Sequence, residues 1–126
     1  MSYIDPRPKT IFCDIDGTLL KHFPPGQSFY NYVTSSENTG LVGTVDKLLE
    51  WDKKGYNIIL TTGRRESMRK FTEEQLEAAG IFYDQLIMGI GGGIRVLIND
   101  LKPNSDQDTA IAINLKRDEG INKIEI

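Results

Sequence analysis

The chain has few of the residues that build covalent staples and metal clips: one cysteine and one histidine in 126 residues. A single cysteine permits neither an internal disulfide nor a cysteine-based zinc site, which excludes disulfide scaffolds and zinc fingers. One histidine, His22, cannot build a histidine-based metal site by itself. No apolar run approaches the ~20 residues that a membrane span requires. Residues 1–9 carry Asp5, Pro6 and Pro8 where a leader would carry a basic stretch and then an apolar one, so the cytoplasm is the expected address. An excess of basic charge is also missing. Fifteen Lys and Arg against 18 Asp and Glu leave a net charge of −3, so neither a nucleic acid nor a membrane is expected as a partner. Repeats, low-complexity tracts and linkers are absent too, and the chain is expected to form a single domain over 1–126.

What is present is enough apolar residue for a core, 39% of the chain, in an alternating order. Thr10–Ile15 is a nearly continuous apolar run, which suits a central strand buried on both faces. It ends in the turn signal Asp16-Gly17-Thr18. After a long polar stretch a helix is expected from an N-cap at Thr44, through the stripe Val45, Leu48 and Leu49, to Lys53, Lys54 and the stop at Gly55. Tyr56–Thr61 reads as a second strand, and Thr62-Gly63-Arg64 leads into a helical stretch ending at Gly80. Within that stretch Thr72-x-x-Gln75 has the form of a capping box. Strand, helix, strand, helix indicates an α/β fold with a mostly parallel sheet. Leu86–Met88 and Arg95–Ile98 are too close for a crossover helix, so a hairpin or tight loop is expected there. Thr109–Leu115 offers a further strand and Ile121, Ile124 and Ile126 a short tail strand, which predicts a mixed sheet with helices on both faces.

In such a sheet the site lies outside the carboxyl ends of the strands. Asp14 and Asp16 end the first strand, Thr62 ends the second, and Asn99-Asp100 ends the run Val96–Ile98. Two carboxylates at i and i+2 can point to one side, and a cation between them and Asp100 would offset their repulsion. Magnesium suits an all-oxygen set that keeps several waters.

These residues also carry a resemblance. Asp14-Ile15-Asp16-Gly17-Thr18-Leu19 after an apolar strand resembles the first motif of the haloacid dehalogenase-like (HAD) phosphatase superfamily, Thr62-Gly63-Arg64 resembles its second, and Asp100 resembles its fourth, metal-binding motif. The resemblance implies a Rossmann-like core without a cap domain and a magnesium-dependent phosphomonoesterase. It implies that Asp14 is the nucleophile that becomes an aspartyl-phosphate, and that Asp16 is the acid and base. Magnesium is then held by Asp14, Asp16 and Asp100. Gly17, Thr18, Thr62, Gly63 and Arg64 would surround the phosphate. The pattern departs from the family where a third-motif lysine is expected, because Tyr83–Gly89 is followed by Ile90 and glycines. Arg95, Lys102 and Arg64 are the candidate substitutes, in that order, and Asn99 stands where a second acid is common.

The compact outline resembles capless members linked to capsule and lipopolysaccharide sugar pathways, which implies a sugar phosphate as substrate. With no cap, an open site or a homo-oligomer whose neighbouring copy covers it is expected. A lapsed phosphate- or sugar-binding module that partners another enzyme is the competing reading, and a receiver-type phosphoacceptor domain is a more distant one. Cys13 in the first strand reads as an inert buried thiol. His22 is a possible substrate contact.

Overall fold

The computed structural model describes residues 5–35 and 39–126. Three short strands, β1 (Thr10–Asp14), β2 (Asn57–Thr61) and β3 (Gln85–Ile87), form a parallel sheet in the order β1-β2-β3. Helices α1 (Phe29–Val33) and α2 (Thr44–Lys53) lie between β1 and β2. A 3₁₀ turn (Glu66–Met68) and helix α3 (Arg69–Ala78) lie between β2 and β3. Asp14 stands opposite Thr61, and Thr61 opposite Ile87, so the three strands finish in one row. This row places the candidate site.

Burial explains why the sheet holds. Ile58, Ile59 and Leu60 are all buried, as expected for a strand with neighbours on both sides. Leu48 and Trp51 from α2, Leu76 from α3, and Ile81, Leu86, Met88 and Ile121 join them in one core. A methyl group added at Gly80, just beyond α3, would lie 3.5 Å from Val45 of α2, and Leu48, Trp51 and Leu76 share one core, so both helices pack on the core side of the sheet. That is where right-handed crossovers place them when strand order follows chain order. The C-terminal tail is tied to α2, where Lys47 Nζ donates to the Ile124 carbonyl at 2.8 Å and Lys54 Nζ to that of Ile126 at 2.9 Å.

Several sequence expectations are corrected. Strand β1 is half buried rather than buried on both faces, for Cys13 faces the core while Phe12 is 55% exposed. Helix α2 is capped by Gly43 rather than Thr44, whose hydroxyl donates instead to the Leu19 carbonyl at 3.1 Å. Thr72 and Gln75 are inside α3 and form no capping box.

The hairpin, the strands at 95–98 and 109–115 and the tail strand are absent among the described residues, so the sheet is parallel throughout rather than mixed. Gly89 and Gly91, at φ +76° and +75°, turn the chain away after β3. Beyond them Ile94 is 96% and Ile98 88% exposed, and no backbone N–H from Gly91 to Leu101 donates to another described residue. Apolar and β-branched residues supply strand propensity, but a strand exists only where a partner completes the hydrogen-bond ladder.

Candidate active site

The first motif is a tight loop nailed into the core. The Ile15 carbonyl accepts from the N–H groups of Thr18, Leu19 and Leu20 at 3.2, 2.9 and 3.1 Å, and Gly17 N–H donates to Leu20 at 2.7 Å. Ile15, Leu19 and Leu20 are fully buried. Because alternate residues of an extended segment point to opposite sides, anchoring Ile15 inward turns Asp14 and Asp16 outward together. Gly17 has φ +82°, and a Cβ there would meet Arg117 Cγ at 3.2 Å, so both backbone angle and crowding require glycine. Thr18 is half-buried in the same loop.

Asp14 lies at the surface, yet its carboxyl is held above the ordinary carboxylate range. The main cause is loss of water around it, and the charge of Asp16 adds to the effect. The Ile15 N–H, Arg95 and His22 act in the opposite direction. Of the candidate substitute cations, Arg95 acts electrostatically on Asp14, while its guanidinium donates to the Gly93 carbonyl at 2.9 Å. Lys102 instead lies near Asp5.

The second motif wraps around the first. Arg64 Nε and Nη2 donate to the two carboxylate oxygens of Asp16 at 3.0 and 2.7 Å. Nη1 donates to Thr72 Oγ1 at 3.1 Å and Gln75 Oε1 at 2.9 Å, and the Phe29 ring of α1 covers the guanidinium at 4.8 Å. The Arg64 side chain is 3% exposed. Expected as a phosphate ligand, Arg64 is turned inward as a bracket for Asp16.

Thr62 is buried, and its Oγ1 accepts the Arg64 backbone N–H at 3.1 Å, which leaves its own O–H to donate. Gly63 permits a backbone crossing, because a Cβ there would lie 2.8 Å from the Gly91 carbonyl oxygen. Gly89 N–H to Arg64 and Ile90 N–H to Thr62, at 2.7 and 3.2 Å, complete that crossing.

Asp100 is not gathered with Asp14 and Asp16: it is exposed, and its carbonyl accepts from Thr109 Oγ1. Asn99 also turns to Thr109. Among the described residues no group of three or more His, Cys, Asp and Glu is arranged to hold a metal. Magnesium, however, takes only one or two carboxylates from a protein and fills the rest of its shell with water and phosphate. The Asp14 carboxylate, whose charge is disfavoured by poor hydration, fits that role, and so does the Asp16 main-chain oxygen, which accepts from no described backbone N–H.

Sequence reasoning missed Thr72, Gln75, Phe29 and Arg117. Thr72 and Gln75 were visible as a pair at i and i+3, one helical turn apart, but their target on another element was not. Arg117 sits against Gly17, and the neighbouring Asp118 fixes the loop by donating its N–H to Gly17 at 2.8 Å and accepting that of His22 at 2.8 Å. Nothing local in the sequence announces either contact. Cys13 is inert as expected, its thiol pushed up to about 12 by burial. No helix among the described residues is long and apolar enough to cross a membrane.

Comparison with known proteins identifies the family. Residues 2–91 match a family model described as HAD superfamily, subfamily IIIB (acid phosphatase). A chain in a structure titled as the Pnkp1/Rnl/Hen1 complex is similar at 32% identity and a TM-score of 0.54, over 71% of this chain and 30% of that one. The chain thus spans under a third of that relative's length. A crystal structure of a target from Vibrio cholerae is similar at 19% identity and a TM-score of 0.46, over 73% of this chain and 79% of that one. No curated protein matches the chain. With the model covering most of its length, the chain belongs to subfamily IIIB, the acid phosphatases, of the HAD superfamily.

Proposed function

We propose that the chain is a magnesium-dependent phosphomonoesterase that acts through an aspartyl-phosphate on Asp14, with a sugar phosphate of polysaccharide or lipopolysaccharide metabolism as substrate. The observation that carries the proposal is the single row of strand ends that puts Asp14, the Arg64-bracketed Asp16 and Thr62 together. A phosphate monoester is very slow to cleave in water, and catalysis consists mainly of positioning and charge neutralisation. Magnesium, when bound, would be held by the Asp14 carboxylate and the Asp16 main-chain oxygen and would supply positive charge to the phosphoryl oxygens. Arg95 adds a second positive charge in place of the third-motif lysine.

A carboxylate oxygen of Asp14 forms a bond to phosphorus as the bond to the sugar oxygen breaks, and Asp16, which takes up a proton in the substrate complex, passes it to that oxygen. Asp16, now ionised, takes a proton from water. The water oxygen attacks phosphorus, which releases inorganic phosphate and restores the Asp14 carboxylate. Thr62 donates its hydroxyl to a phosphoryl oxygen. The exposed face of Asp14 suits a bulky substrate or a neighbouring copy of the chain as cover, and the reaction belongs in the cytoplasm.

Two observations favour a second reading, a lapsed phosphate- or sugar-binding module: Asp100 stands apart from the two motif-one acids, and Ile90 and glycines follow β3 where a lysine is expected. Phosphate release from a panel of sugar phosphates with magnesium separates the two. The wild type is expected to release phosphate and Asp14→Asn to abolish release. Binding of a sugar phosphate without turnover would establish the second reading.

A further inference from the structure

Thr72 and Gln75 are buried or half-buried polar side chains on α3 that touch neither Asp14 nor Asp16, yet both hydroxyl and amide are aimed at one nitrogen of Arg64. An arginine held only by a carboxylate can pivot about that contact and carry the carboxylate with it. Here Nη1 is fixed from the opposite side at 3.1 Å by Thr72 and 2.9 Å by Gln75, so the plane of the guanidinium is set by α3 and the orientation of Asp16 follows.

The Gln75 amide is itself oriented. Its Nε2 donates to Thr39 Oγ1 at 3.0 Å, which leaves Oε1 as the end that faces Arg64. Phe29 closes the remaining face of the guanidinium. The chain is continuous in space: Thr39, Gln75, Arg64, Asp16.

We infer that Gln75, seconded by Thr72, is a positioning residue for proton transfer by Asp16, acting through the guanidinium of Arg64. The inference rests on the phosphatase reading above. It explains why the pair at i and i+3 sits in mid-helix, where threonine gains nothing as a cap. A misoriented acid slows only those substrates whose leaving oxygen needs a proton, which distinguishes positioning from a general structural role.

The test compares kcat/KM, which reports the step that expels the leaving group, for a hexose phosphate and for 4-nitrophenyl phosphate, whose leaving group departs as a stable anion. In Gln75→Leu the hexose phosphate value is expected to fall about tenfold more than the nitrophenyl value, a fraction of the whole benefit of general acid catalysis. Gln75→Glu keeps an acceptor for Nη1 and is expected to restore the wild-type ratio. Thr72→Val, which removes only the hydroxyl, should move the ratio in the same direction and serves if Gln75→Leu folds poorly. Equal losses on both substrates in Gln75→Leu and Thr72→Val, or a Gln75→Glu variant as selective as Gln75→Leu, would overturn the positioning role alone. A wild type that turns over neither substrate would overturn the phosphatase reading and this role with it.

Discussion

Residues 10–91 and residues 92–115 have similar apolar signals in sequence and opposite fates in the structure. In the first region Ile58, Ile59 and Leu60 are buried between two neighbouring strands. In the second, Ile94, Val96 and Ile98 are no less β-branched but lie exposed, with no backbone partner among the described residues. The family match ends at residue 91, and the last regular element ends at Ile87. Strand propensity describes a side chain that suits a pleated, half-buried surface, and the surface has to be there.

Substitutions in the two regions are expected to differ in the same way. The largest effect is expected from Leu60→Ala in the fully buried centre of β2, a loss of about 2–5 kcal/mol read by urea unfolding. Arg95→Ala comes next, because Arg95, in the second region, acts electrostatically on Asp14. Turnover of a sugar phosphate should fall at least about tenfold, or about 1.4 kcal/mol of transition-state stabilisation. An unchanged rate would disconnect the two regions.

Asp14→Asn is expected to raise the melting temperature at neutral pH in the presence of a chelator. The folded-state carboxyl lies above the ordinary range, so as pH rises the unfolded chain gives up this proton first and the folded state is penalised from there upward. The gain should shrink as pH falls below the ordinary carboxylate range, where Asp14 is protonated in both states. The smallest effect belongs to Ile98→Ser, within about 0.5 kcal/mol of wild type, as for other exposed positions. A loss above about 1 kcal/mol would show that the segment packs against something in solution.

Much of the first region was legible because its signals are local. An apolar run ending in Asp14-Ile15-Asp16-Gly17, a second ending in Thr62-Gly63-Arg64, and a helix punctuated by Gly55 are each written in consecutive residues. What escaped depends on contacts between elements. Arg64 reads as a phosphate ligand until Thr72 and Gln75 are seen to turn it toward Asp16. Arg117 and Asp118 reach the first motif from about a hundred residues away in sequence. Asp100 and the strands expected around it were inferred from apolar runs whose partners the described structure does not supply.

The proposed phosphoryl transfer turns on whether the Asp14 carboxylate takes the phosphoryl group. Rapid acid quenching during turnover of a sugar phosphate with magnesium, followed by peptide mass analysis, tests it most directly. One added phosphoryl group is expected on the peptide that contains Asp14, located on Asp14 and missing from Asp14→Asn. Turnover that persists in Asp14→Asn, or a phosphoryl group found on another residue, would contradict it.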